Sequence, residues 1–200
     1  MSSNIYSKLL DKAIHMTEQE IAEEQQIVSK AKEDATVFGQ LYNRYFERIF
    51  HFILRRTDDE ELTNDLTSQT FLKALQHLKK YEYRGVPFSA WLYRIASNEV
   101  NKHFNKKSRK RVFSLEEERL LEIIETESEA AFSEEQIARL IDTLNTLPTD
   151  VMEVLELRFF EERGFKEISF ILNISESGAK MRLYRAIEKL KKHFKVNISD

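Results

Sequence analysis

The sequence predicts an all-α protein made of two small helical domains joined by an acidic linker, the C-terminal one a helix-turn-helix domain. Three observations support this fold class. The 200 residues include only four glycines and two prolines, the residues that most often punctuate short strands. Apolar residues recur at helical spacing through most of the chain, and few stretches alternate as strands do. Charge is sorted into blocks, with one strongly acidic segment between two bodies.

The charge blocks suggest the domain boundaries. The formal net charge is −3, divided as −3 over residues 1–34, +7 over 35–113, −8 over 114–135 and +1 over 136–200. We therefore expect an N-terminal helical extension (1–34), a basic first domain (35–111), an acidic linker (112–132) and a second domain (133–195). A basic first body and a basic C-terminal end are typical of proteins that bind nucleic acid.

Composition also restricts the function. The chain has no cysteine, so disulfides and thiolate metal sites are excluded, as in a reducing cytoplasm, where we expect this protein. No signal peptide is recognisable and no apolar run approaches the roughly 20 residues that span a bilayer, so membrane insertion is not expected. The five histidines are scattered, and neither HExxH nor a phosphate-binding glycine loop occurs. We therefore expect neither an enzyme nor a metal or other cofactor.

The N-terminal extension has loose helical periodicity and predicts one or two helices. They either pack on the next domain or fray, and the alternative is a site for a regulatory partner. A long apolar helix is then predicted from Thr36 to Leu54. Thr57 with Glu60 is expected to form a capping box that opens the next helix, which runs to about Lys79.

This second helix of the first domain carries apolar residues on two sides. One stripe suits the domain core and consists of Phe71, Ala74, Leu75 and Leu78. Leu62 and Leu66 lie nearly opposite, flanked by Asp65 and Gln69. Either the N-terminal helix covers this second stripe, or the stripe docks another protein through apolar anchors within a polar rim.

A helix from Phe88 to Phe104 follows the breaker YEYRGVP and ends in a polar, basic run. Asparagine, aromatic and basic side chains suit base-edge hydrogen bonds, stacking and phosphate contact, whereas the alternative is a solvated helix end. The candidate DNA-binding residues here are Asn98, Asn101, Lys102, Asn105, Lys106 and Lys107. The acidic linker that follows is either a tether, a mask over the basic surfaces, or a segment that lies in a basic channel of a partner.

The second domain is predicted to contain four helices. Ser133 with Gln136 forms a capping box, Pro148 stands at the first turn of another helix, and Gly164 supplies a helix C-cap. The last two helices meet at a polar joint, where Asn173 tolerates a left-handed backbone, Ile174 fills the angle and Ser175 caps the final helix. This is the pattern of a helix-turn-helix.

The final helix has one apolar and one polar face. Its polar side and start hold candidate DNA-binding residues, namely Ser175, Glu176, Ser177, Lys180, Met181, Arg182 and Arg185. Side chains near the start of such a helix can reach base edges, while flanking lysines and arginines neutralise phosphates. The alternative is an ordinary amphipathic helix with a solvated charged face.

The ordered set of elements resembles the small extracytoplasmic-function (ECF) sigma factors of bacterial RNA polymerase, which have only domains two and four. The resemblance covers roughly residues 35 to 195. It rests on Asp65–Ala74, which is similar to the family's docking helix, and on Phe88–Asn98, similar to its promoter-melting segment. Leu147 to Leu190 is similar to the last domain. Ser68 and Gln69 stand where the family usually has Gln-Glu.

The resemblance implies specific partners. Leu62, Asp65, Leu66, Gln69 and Phe71 would dock on the clamp helices of the largest subunit of core RNA polymerase, and the last domain would lie near its flap region. The segment from Asn98 to Lys107 would hold the opened minus-10 strand of promoter DNA, and the last domain would read the minus-35 element. An anti-sigma factor is left open as a further partner. The main alternative function is a free-standing helix-turn-helix regulator that acts without polymerase docking.

Overall fold

The structure is a computed structural model, which describes residues 16–107, 135, 142–144 and 146–195. Within these ranges, side chains are described except at 105–107 and 190–195. No strand occurs among the described residues, and helices account for most of them, which confirms the all-α prediction. They divide into two compact units: residues 16–107 with 169–173, and the remaining described residues.

The described part of the first unit contains four α-helices. They are α1 (Glu18–Glu33), α2 (Phe38–Thr57), α3 (Glu60–His77) and α4 (Phe88–Lys107), with 3-10 turns at Ala35–Val37 and Leu78–Lys80. Helices α2, α3 and α4 pack against one another, and α1 packs against α2 and the second turn. The fully buried side chains of this unit include Leu41, Ile49, Phe52, Ala74, Phe88 and Leu92. The prediction of helices in this order is confirmed.

The junction between α2 and α3 differs from the predicted capping box of Thr57 and Glu60. Thr57 is the last residue of α2, and its hydroxyl donates to the carbonyl oxygen of Ile53 (3.2 Å). Asp58 ends α2 in a left-handed conformation (φ 49°), which aspartate tolerates better than most residues. Asp59 then caps α3, and its carboxylate accepts from the backbone N–H of Leu62 (3.0 Å). Two adjacent aspartates therefore end one helix and start the next.

A buried carboxylate of α1 forms hydrogen bonds to α2 and to the start of α4. Glu24 is fully buried and accepts hydrogen bonds from the Tyr45 hydroxyl and from the backbone N–H of Phe88 (2.7 Å). Phe88 begins α4, and Pro87 before it has no side-chain acceptor, so Glu24 satisfies an N–H that the helix leaves open. Lys32 donates to the carbonyl oxygen of Tyr81 (2.6 Å). The alternative in which the extension packs on the next domain is confirmed for residues 18–33.

The second unit contains α5 (Thr149–Leu155), which is continued by a π-helical turn, Glu156–Phe160, and α7 (Glu176–Lys195). Between them, α6 (Phe165–Leu172) begins in the second unit, which includes its residues 165–168, whereas its residues 169–172 are grouped with the first unit. α7 packs against α5. Gly164 is not the predicted C-cap. The left-handed residue is Glu162 (φ 53°), and the Gly164 carbonyl accepts from the N–H of Ile168 (2.9 Å) in the first turn of α6.

Three sequence predictions lie outside the described residues: the acidic linker (112–132), the Ser133 capping box and most of the helix after it. None of the helices within the described ranges combines the length and apolar character needed to cross a membrane.

Candidate nucleic-acid interface

The joint between α6 and α7 has the predicted helix-turn-helix geometry. Asn173 is left-handed (φ 55°), which turns the chain directly after α6. The Ser175 hydroxyl accepts from the backbone N–H of Gly178 (3.0 Å), so it satisfies one of the open N–H groups at the start of α7. Ile174 between them is half-buried. The predicted roles of Asn173 and Ser175 are both confirmed.

Helix α7 presents a narrow exposed strip, which we call the α7 strip and which consists of Ser177, Met181 and Arg185. Met181 is 52% exposed, whereas Ala179 and Leu183 on the opposite side are at most 1% exposed. Successive members of the strip are four residues apart, or about 6 Å along the helix axis. Ser175 and Glu176, at the start of the helix, are also exposed. A helix of this form can place the strip against base edges in the major groove.

Two basic residues beside the strip make contacts within the second unit. The Lys180 ammonium lies 5.5 Å from the centre of the Phe165 ring. The Arg182 guanidinium lies 3.4 Å from a carboxylate oxygen of Asp150 in α5. Since an ion pair this exposed contributes little free energy, a phosphate can compete for Arg182, and its DNA contact stays a prediction.

The polar end of α4 forms the second part of the candidate interface. Asn98 and Lys102 are exposed and stand one turn apart on the same side of the helix, and Asn101 between them is half-buried. Asn105, Lys106 and Lys107 belong to α4, but their side chains lie outside the described residues. Amide and ammonium groups on one helical side can bind bases and phosphates of a single strand.

Contacts of the two residues next to Asn98 fix the rotation of α4 about its own axis. The preceding residue, Ser97, accepts a hydrogen bond (3.0 Å) from the fully buried Arg56 of α2. The following residue, Glu99, pairs with Lys73 of α3. The Arg56 guanidinium also stacks 3.9 Å from the centre of the Phe52 ring. Because Ser97 and Glu99 are held by neighbouring helices, the side chain of Asn98 between them must lie on the exposed side of α4.

The predicted docking face on α3 needs a correction. Leu66 and Phe71 are each only 3% exposed, so both belong to the core and cannot be surface anchors. Phe71 contacts aromatic residues of α2, with ring centres 4.8 Å from Tyr42 and 6.5 Å from Phe38. The exposed side of α3 instead contains Asp65 and Gln69, with Leu62 half-buried at its edge.

One residue of this exposed side was missed as a site residue. Leu72 is 55% exposed and follows Asp65 by seven residues and Gln69 by three, which places all three on one helical face. Helical spacing was therefore a sufficient signal for it. We define the α3 face as Leu62, Asp65, Gln69 and Leu72.

Two buried tyrosines surround the start of α4. Burial raises the pKa of Tyr81 to about 12, and burial together with the charge of Glu24 raises the pKa of Tyr45 above its ordinary value. Both hydroxyls therefore stay protonated at neutral pH, and Tyr45 remains a donor to Glu24. The described residues contain no group of three His, Asp or Glu side chains that could hold a metal ion.

Comparison with known proteins places both domains in one family. The family model for Sigma-70 region 2 matches residues 41–110, and the family model for Sigma-70, region 4 matches residues 132–190. Among similar proteins, the ECF RNA polymerase sigma factor BldN of Streptomyces coelicolor is 32% identical over 159 residues, which cover 78% of this chain and 60% of BldN. The ECF RNA polymerase sigma factor SigM of Bacillus subtilis is 26% identical over 162 residues, covering 80% of this chain and 97% of SigM.

A solved structure has a similar fold. CnrH, solved in complex with the cytosolic domain of CnrY, superposes with a TM-score of 0.59 at 22% identity, covering 87% of this chain and 98% of CnrH. The region 2 match contains α3 and α4, and the region 4 match contains the helix-turn-helix. The chain therefore belongs to the sigma-70 family of RNA polymerase sigma factors and resembles its ECF members over most of its length.

Proposed function

We propose that this chain binds core RNA polymerase and directs promoter recognition, DNA melting and the initiation of transcription. The observation that carries the proposal is the presence, in one chain, of a region 2 match and a region 4 match, each containing a helix with exposed polar and basic residues, α4 and α7. A free-standing regulator needs a helix-turn-helix but has no use for a region 2 domain. The family matches thus favour the sigma factor over that alternative.

The second unit is proposed to read the minus-35 element in the major groove. The α7 strip supplies the base contacts, because its hydroxyl, thioether and guanidinium groups are exposed on one side of the helix. Lys180 beside it supplies phosphate contact, which adds affinity and fixes register but carries no sequence information. The Ser175 cap holds the start of α7 in place for this purpose.

The first unit is proposed to hold the opened minus-10 strand on α4. Separating duplex DNA costs on average about 1.4 kcal/mol per base-pair step, so the strand must be trapped by groups that are already in position. Asn98 meets this requirement because its neighbours in sequence are anchored to α2 and α3. Lys102 lies one turn further along the same side and is placed to contact the strand's phosphates.

The α3 face is proposed to dock on the clamp helices of the largest polymerase subunit. Leu72 supplies the apolar anchor in place of the buried Leu66 and Phe71, and Asp65 and Gln69 form its polar surroundings. The flap region of polymerase is proposed to hold the second domain. An anti-sigma factor is a further proposed partner, supported by the CnrH structure, which contains a second protein, CnrY. A chain that serves bacterial polymerase acts in the cytoplasm.

Transcription with purified components tests this function. Core RNA polymerase is mixed with the full-length chain on fragmented genomic DNA, and the 5′ ends of the transcripts are sequenced. The proposal predicts discrete start sites that share two upstream elements and are missing when core is used alone. Start sites identical to those of core alone, or failure of the chain to co-elute with core, would show that the protein is not a sigma factor.

A further inference from the structure

The middle residue of the α7 strip has an apolar side chain. Met181 is 52% exposed, and within the described second unit no other large apolar side chain reaches this level of exposure. Ser177 and Arg185 stand one turn before and after it, and both are exposed. Met181 therefore lies at the centre of the surface that the proposed function directs at the minus-35 element.

The contacts of neighbouring side chains leave Met181 accessible. Lys180 lies over the Phe165 ring, and Arg182 is paired with Asp150, so both basic neighbours extend along the body of the second unit. The Ser177 hydroxyl lies 3.1 Å from that of Ser175, close to the start of the helix. A base edge that approaches the middle of the strip thus meets the thioether first.

The chemistry of the major groove has one apolar group to offer such a side chain. Hydrogen-bond donors and acceptors cover the edges of all four bases, and only thymine adds a methyl group, on C5. The methionine thioether is flexible and polarizable, so it packs readily on a methyl group but makes no strong hydrogen bond. We propose that Met181 is a specificity-determining residue that contacts the C5 methyl of a thymine in the minus-35 element. This inference rests on the proposed function.

The geometry of the helix restricts where this thymine lies. Met181 and Arg185 are four residues apart, or about 6 Å along the axis, and stacked base pairs are about 3.4 Å apart. Arginine pairs best with the O6 and N7 atoms of guanine. The thymine is therefore expected within about two base pairs of a guanine contacted by Arg185, on either strand.

Removal of single methyl groups from the DNA tests the inference. The preferred minus-35 element is first selected from a randomised promoter library with core polymerase carrying the full-length chain. Each thymine of the selected element is then replaced by deoxyuridine, which lacks only the methyl. Binding of the wild-type holoenzyme is expected to weaken about fourfold at one position, the factor that corresponds to burial of one methyl group.

Variants of the chain assign this effect to Met181. With Met181→Ala, the thymine and deoxyuridine promoters should bind equally well, whereas Met181→Leu should retain most of the discrimination. Glu188→Ala, an exposed position on the same helix outside the strip, should discriminate as the wild type does. Equal binding of both DNAs by the wild type would overturn the inference but leave the proposed function intact, as would full discrimination by Met181→Ala. If no sequence is enriched, the proposed function fails and the inference fails with it.

Discussion

Replacement of Glu24 by alanine should destabilise the first unit by about 2–6 kcal/mol. The substitution removes the acceptor of two buried donors, the Tyr45 hydroxyl and the backbone N–H of Phe88. Each buried donor left without an acceptor costs about 1–3 kcal/mol. Because whole domains are stable by only about 5–15 kcal/mol, this loss is a large fraction of the total. A loss of this size would show that α1 is a required part of the first unit, although α1 lies before the region 2 match.

Tryptophan fluorescence during urea unfolding measures this loss in the right unit. Trp91 is the only tryptophan of the chain, and its ring centre lies 5.3 Å from that of Phe88 and 5.0 Å from that of Tyr81. Its emission therefore reports the surroundings of the α4 start. Glu24→Gln keeps an acceptor oxygen and should cost less than Glu24→Ala.

A double-mutant cycle tests the hydrogen bond itself. Tyr45→Phe removes one of the two donors, so Glu24→Ala combined with Tyr45→Phe should cost less than the sum of the single changes. If Glu24→Ala leaves the unfolding midpoint unchanged, or if the two changes add without coupling, the carboxylate does not hold α1 and α4 together, and the reasoning is refuted.

Three further predictions concern other parts of the molecule. The free energy of unfolding of the first unit should be constant below about pH 10 and fall as pH rises from 10 to 12, because the pKa of Tyr81 is raised to about 12 and that of Tyr45 is also raised. In the Tyr45→Phe variant, this alkaline loss of stability, followed by Trp91 fluorescence, should be smaller. The same alkaline loss in the variant and the wild type would contradict the prediction. Lys180→Gln should make the slope of the logarithm of the DNA-binding constant against the logarithm of the salt concentration less negative by about one, for all promoters alike. Fluorescence anisotropy of labelled promoter DNA with the holoenzyme measures this slope. An unchanged slope would show that Lys180 contacts no phosphate. Leu72→Asp should weaken core polymerase binding at least tenfold without shifting the urea midpoint, because this side chain is exposed; wild-type affinity for core would remove the α3 face from the docking surface.

Features of the fold that depend on neighbouring residues could be predicted from the sequence. Asn173 and Ser175 were assigned their roles because a left-handed residue and a helix cap act within a few residues of themselves. The same local reasoning found the order of the helices and the exposed side of α7. It failed at Thr57 and Glu60, because Asp58 ends α2 directly after Thr57 and Asp59 takes the N-cap position of α3.

Features that depend on distant packing could not be predicted. Leu66, outside the predicted core stripe, is buried because α3 packs against two helices at once, and a helical wheel does not show how wide a buried face has to be. Glu24 stands in an acidic stretch typical of a solvated face, yet one of its partners is 64 residues away in the chain. Arg56 lies in the last turn of α2, where basic residues are usually solvated, but the structure buries it against Phe52 and Ser97.

The affinity of promoter DNA for the chain, measured with and without core polymerase, is the most direct test of the central claim. In this account, two helical units contact different promoter elements, and core polymerase holds them at the correct spacing. Selective binding to the promoter is therefore expected only when core is present, and Leu72→Asp should reduce it together with core binding. Equally tight and equally selective binding by the chain alone would contradict the account.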